Sequence, residues 1–136
     1  MARRSEVHGF VLSRNAAVRR QVGDLLKHTG CTVRQVHSHA EAIMFINHAR
    51  VHVFVADIDE PSSDGLAILL WCKHRYPDIK AFAICHDNSN HSQYVAREFG
   101  VDGFFYVTPH SHQIDINRGI ARQLCYASDT VDLLPC

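Results

Sequence analysis

The residues with the most chemical promise lie mid-chain. Asp57 closes the apolar run 51–56 (VHVFVA) and opens the polar stretch Ile58-Asp59-Glu60-Pro61-Ser62-Ser63-Asp64-Gly65. A carboxylate at the end of a strand, with a second one two residues on, can act as a nucleophile or as an oxygen donor to a hard cation. Histidines form the second group. Of eleven in the chain, His86, His91, His110 and His112 follow the fourth and fifth apolar runs, in stretches that read as loops or helix starts. His110-x-His112 with His86 offers imidazole nitrogen to Zn²⁺ or Ni²⁺. That spacing is generic, however, and the simpler reading is polar, partly exposed loop residues. Neutral-range titration makes histidines pH sensors only where they cluster in space, and sequence proximity is all that the chain offers. The five cysteines, Cys31, Cys72, Cys85, Cys125 and Cys136, are odd in number and contain no CxxC pair. They read as reduced thiols, mostly buried, rather than as disulfides or a metal knot. Cys85 ends an apolar run, so a redox-sensing role is conceivable there, with a buried structural thiol the simpler reading.

These side chains need a scaffold, and the chain is long enough to provide one. At 136 residues, with 46% hydrophobic and 21% charged residues, it has the make-up of one globular domain. Lys+Arg and Asp+Glu both number 14, which argues against a basic nucleic-acid-binding surface. The longest apolar run, 66–72, is far too short to span a bilayer, and no signal peptide is visible, so a cytoplasmic protein is expected.

Short apolar runs alternate with helical patterns, which is the signature of βα units on a parallel sheet. Strands are expected at 9–12, 31–36, 51–56, 79–85 and 103–107. The first helix carries Val18, Val22, Leu25 and Leu26 at helical spacing, with Ser13 or Asn15 as its cap and Gly30 beyond its end. Ser38 and Glu41 form a capping-box pattern for the second. Further helices are expected at 65–75, 91–99 and 114–127, with residues 128–136 as a tail. Trp71 and Tyr76 read as packing residues at the core and rim of the third. The result is a doubly wound (βα)5 three-layer sandwich on a five-stranded parallel sheet, formed by residues 1–127. Functional groups in such folds gather beyond the carboxyl ends of the strands. Here those ends are Ser13-Arg14, Asp57, Cys85-His86 and Val107-Thr108.

The pattern D-x-x-x-P-x-x-D-G after a mid-chain strand, from Asp57 to Gly65, resembles the receiver domain of two-component response regulators. Gly100-Val101-Asp102-Gly103-Phe104 resembles the family's Gly-Ala-Asp-Gly-Tyr entry to the fifth strand. The resemblance runs from about Val7 to Leu124. It implies a flavodoxin-like, CheY-like fold, phosphoryl transfer to Asp57, and signalling by contact with a histidine kinase or another signalling protein. It also implies a partner or homodimer surface on the face of helix four, strand five and helix five, to which Tyr94, Phe104, Tyr106, Ile116 and Tyr126 can contribute. No enzymatic activity, nucleic acid or membrane is expected.

Carried over residue by residue, the family's phosphorylation site is largely missing. Its acidic, magnesium-binding pair falls on Ser13 and Arg14. Its Thr/Ser position falls on Cys85, and its Lys position on Val107, or on Thr108 with a slip of one. Asp57 is retained, and Phe104 holds the aromatic switch position. Asp57 and Asp59 are weak candidates for magnesium, and no cofactor is expected. A sharper expectation is that the Arg14 guanidinium pairs with Asp57 in place of the metal. The alternative is an Arg14 turned to solvent. The chain therefore reads as a stand-alone atypical receiver acting through protein–protein contacts, with impaired or absent phosphorylation. The other reading is a phosphate-independent receiver-like domain of a larger enzyme or regulator, similar to the N-terminal wing of bacterial basic amino-acid decarboxylases.

Overall fold

A computed structural model describes residues 7–59, 64–86, 90–107 and 114–115. The elements run β1 (Val7–Leu12), α1 (Ala16–His28), β2 (Cys31–Val36), α2 (His39–His48), β3 (Val53–Asp57), α3 (Gly65–Arg75), β4 (Lys80–Cys85), α4 (Asn90–Glu98), β5 (Gly103–Val107) and β6 (Ile114–Asp115). One sheet holds all the strands in the order β2-β1-β3-β4-β5-β6. The first five are parallel, as the alternating pattern predicted. None of the helices among the described residues is long and apolar enough to cross a membrane.

The central strands are apolar over most of their length because both faces of the sheet are covered. Alternate residues of β1 and β3 go to opposite sides. Val11, Val53 and Val55 pack with Val18, Val22 and Leu26 of α1. Phe10, Leu12, Phe54 and Ala56 pack on the other side, with Ile46 of α2, Leu69 and Cys72 of α3 and Ala96 of α4. Phe54, Phe82, Phe105 and Leu26 are among the largest fully buried side chains. Burying such a residue contributes roughly 1.5–3 kcal/mol.

The helix ends follow local chemistry. Of the two possible caps for α1, Asn15 is the one used, and its Oδ1 accepts from the N–H groups of Ala17 and Val18 at 3.0 and 3.2 Å. That leaves Ser13 available for the site. Gly30 follows α1 with φ 95°, the left-handed conformation expected of it. Ser38 caps α2 by accepting from Glu41 N–H at 3.2 Å.

One sequence expectation is corrected. Residues 114–127 read as the start and body of a helix, but Ile114–Asp115 pairs antiparallel with β5, through Tyr106↔Asp115 and Val107↔Ile114. Two residues are too few to show a period, and the outer edge of β5 offers backbone donors and acceptors that favour pairing. Residues 116–127, the tail 128–136, and Thr108, His110 and His112 lie outside the described residues.

The sheet order reverses between β1 and β3. A crevice beyond the carboxyl ends of these two strands is where doubly wound folds bind ligands, and Ser13 and Asp57 stand there.

Candidate functional site

Asp57 is the last residue of β3 and is 1% exposed. β3 lies on β4 with Asp57 opposite Ile84, and Ile58 N–H donates to the Ile84 carbonyl at 3.1 Å. This register brings the residues just after β4 beside the Asp57 carboxylate. His86 is the one that matters. Its Nε2 lies 2.8 Å from Asp57 Oδ2, and its backbone N–H donates to Asp59 Oδ2 at 2.7 Å. Asp59 N–H in turn donates to Asp57 Oδ1 at 3.0 Å. Asp57, Asp59 and His86 thus form a closed ring of hydrogen bonds between the β3–α3 and β4–α4 connections.

Ser13 brings in a third connection. It is fully buried just beyond β1 and donates from Oγ to Asp57 Oδ2 at 3.4 Å. The same Oγ accepts Asn15 N–H at 3.1 Å, and Arg19 Nη1 donates to the Ser13 carbonyl at 2.6 Å. The hydroxyl is therefore fixed from both sides. The carboxylate of Asp57 is held by the loops after β1, β3 and β4 together.

Burial pushes the Asp57 carboxyl above its ordinary range, and the nearby charge of Asp59 adds to that. Opposing it are the hydrogen bond from His86, the bond from Asp59 N–H and the electrostatic influence of the His86 ring. An ionised carboxylate only accepts hydrogen bonds, so facing it the His86 ring carries a proton on Nε2. Side-chain exposure is 34% for His86 against 0% for Asp57, so the ring lies between the buried carboxylate and solvent.

The sequence-derived candidates divide clearly. Ser13, Asp57 and Asp59 are brought together. Arg14 is exposed, and the cation-capable partner of Asp57 is His86, not the expected Arg14 guanidinium. Ser13 and Arg14 are consecutive where the chain leaves β1, and the inward place fell to the smaller, neutral side chain. Cys85 is buried, and burial, with the charges of Asp59 and Asp57 behind it, pushes its thiol pKa far up. It is thus a protonated core thiol rather than a reactive one. Val107 is buried on the α1 side of the sheet. Phe104 is half-buried, stacked on Tyr106 at 6.0 Å with the Arg97 guanidinium 5.4 Å from its ring, and belongs to the packing of α4 on β5. Tyr94 on the same helix is 61% exposed. His91 is exposed on α4. The sequence placed His86 at a functional strand end beside Cys85, but nothing in its composition or spacing marked it, among eleven histidines, as the partner of Asp57.

No protein-family model matches the chain, and no curated protein does. Solved structures do. A CheY-like response regulator receiver domain protein from Methanospirillum hungatei superposes with a TM-score of 0.71 at 17% identity, over 90% of this chain and 97% of that one. A response regulator from Burkholderia pseudomallei, solved with a phosphorylated aspartic acid, a calcium ion and citrate, gives 0.68 at 16% identity, over 94% and 70%. An orphan response regulator of H. pylori gives 0.69 at 10% identity, over 92% and 98%. The likeness is one of fold. The five parallel strands and four helices of the described residues, in this order, match the CheY-like receiver fold.

Proposed function

We propose that the chain is an atypical receiver module of two-component-type signalling, cytoplasmic and non-enzymatic, that works through contacts with a histidine kinase or another signalling protein. In this reading Asp57 is a structural anchor rather than a magnesium-dependent phosphoacceptor. The observation that carries it is the 2.8 Å contact between His86 Nε2 and the buried Asp57 Oδ2. An aspartate that attacks phosphorus needs an oxygen with a free lone pair facing the donor, and a cation to offset charge on the phosphoryl oxygens. Here Oδ2 receives both His86 and Ser13, and Oδ1 receives one bond, from Asp59 N–H, so both oxygens are engaged and Oδ2 is taken twice.

Among the described residues, the donors at this site do not favour a magnesium ion. Magnesium takes oxygen ligands, mostly carboxylate and water. The loop after β1 offers a buried hydroxyl already engaged with Asn15 and an exposed guanidinium, and Asp59 Oδ2 is engaged with His86 N–H. His86 supplies from within the chain what a metal would otherwise supply, a partner for the buried carboxylate. With that partner in place the three loops share one arrangement without phosphate, and a partner protein reads that arrangement directly.

The test is incubation of the full chain with acetyl phosphate and magnesium, followed by intact-mass measurement. No hydroxylamine-labile phosphoryl group is expected on Asp57. A stable, magnesium-dependent mass gain that hydroxylamine removes and Asp57→Asn abolishes would overturn this function.

A further inference from the structure

The contact that occupies Asp57 also leaves one nucleophilic atom unengaged. His86 is tied by its backbone N–H to Asp59 and by Nε2 to Asp57. Its Nδ1 has no hydrogen-bond partner among the described residues. The side chain is 34% exposed, so a small molecule can reach the ring. A carboxylate that accepts one ring N–H fixes the tautomer, directs the lone pair to the other nitrogen and raises its basicity. This is how an adjacent acid prepares an imidazole for attack or for metal binding.

We infer that His86 is a phosphoryl-accepting site, modified on Nδ1 by a low-molecular-weight acyl phosphate without a metal ion. The Nδ1 lone pair attacks phosphorus. The N–P bond forms as the P–O bond to the acyl group breaks, and the carboxylate departs with the electron pair. The ring, now substituted at Nδ1 and protonated at Nε2, becomes an imidazolium, and no proton has to leave. Its positive charge develops 2.8 Å from a carboxylate that is fully buried and short of counter-charge. Placed this close to a buried carboxylate, the developing charge is stabilised relative to the neutral ring. The inference rests on the reading of Asp57 as a ring partner rather than a nucleophile.

The experiment treats the full chain with acetyl phosphate in the presence of EDTA. It reads the intact mass, the stability of the label in acid, alkali and hydroxylamine, and the ring position of phosphorus by proton–phosphorus NMR. The expected label is acid-labile, alkali-stable and on Nδ1 of His86. It disappears in His86→Asn. In Asp57→Asn its rate falls about 10²-fold, the lower end of what a positioned acid–base partner contributes. The label there is also no longer confined to Nδ1, a change of ring position that general loosening of the fold would not produce by itself. A melting curve for each variant confirms that it is folded. Absence of label on the folded wild type, label on Nε2, or label that persists in His86→Asn would each overturn the inference while leaving the proposed function standing. Alkali-labile, magnesium-dependent label lost in Asp57→Asn would overturn the proposed function instead.

Discussion

Replacing His86 by Ala tests the central contact most directly. The substitution removes a 2.8 Å hydrogen bond to a carboxylate whose side chain is 0% exposed. Bonds to charged groups contribute about 1.5–3 kcal/mol, and more is lost when the remaining partner stays buried. Two features lower the figure. Ser13 Oγ and Asp59 N–H still reach the carboxylate, and the space left by a ring that is one-third exposed admits water. The expected cost near neutral pH is about 1.5 kcal/mol, or roughly 5 °C in melting temperature for a domain of this size. The pH dependence has a definite sign. Burial raises the folded-state pKa of Asp57 above its unfolded value. Such a group contributes stability that is fully present below the unfolded pKa and is lost as pH rises through the folded pKa. His86 works against that loss by lowering the folded-state pKa. Without it the Asp57 pKa climbs further and the loss continues to higher pH. The deficit of His86→Ala is therefore smallest in acid, where the carboxyl is neutral in both proteins. It grows as pH rises and levels off once Asp57 is ionised in both. Urea titrations from acid to mildly alkaline pH measure this profile. A double-mutant cycle with Asp57→Asn isolates the pair, with a coupling of about 1 kcal/mol or more expected. A deficit that is flat with pH, together with additive single effects, would refute the reasoning.

Two further outcomes follow from the scaffold. Gly23 lies inside α1, and a Cβ there meets Val33 Cγ1 at 3.6 Å and Gln35 Nε2 at 3.7 Å, ordinary contact distances; Gly23→Ala is expected to raise stability by about 0.5–1 kcal/mol, and a lower melting temperature would count against the described packing of α1 on β2. Cys31, Cys72 and Cys85 are buried, and burial pushes the Cys72 thiol up to about 12; a thiol reagent near neutral pH should modify these three only in denaturant, as followed by peptide mapping, and rapid modification of Cys85 in the native protein would restore it as a redox candidate.

How far the sequence discloses this molecule depends on the range of the forces involved. The strands were legible because a strand buried on both faces must be a short apolar run, and VFVA before Asp57 and AFAI before Cys85 are such runs. The place of Asp57 was legible for the same reason: a carboxylate next to such a run has to stand at its end. The partner of Asp57 was not. It depends on the register that sets Asp57 opposite Ile84, a relation between residues 27 positions apart that no local period encodes. The choice between Ser13 and Arg14 was likewise hidden. The rule that an arginine beside an aspartate will pair with it ignores which of two consecutive side chains the strand turns inward. Two-residue β6 is below the length at which any pattern can be read.

The geometry around Asp57 also orders the reactivities of the site. For Asp57 Oδ2 to attack phosphorus, His86 would have to leave it, and the buried carboxylate would then face the donor's negative charge without that partner. Leaving is hindered because His86 is anchored twice, and its backbone bond to Asp59 keeps the ring nearby even when the side chain rotates. For His86 Nδ1 to react, by contrast, none of the described bonds has to break. On the proposed reading, the contact that engages the carboxylate is also the one that orients the imidazole. Without either reaction, the same contact still couples the loops after β1, β3 and β4, because Ser13, Asp59 and His86 all bond to one carboxylate. Under the proposed function, that shared carboxylate is what would hold the three loops in one arrangement for a partner to bind.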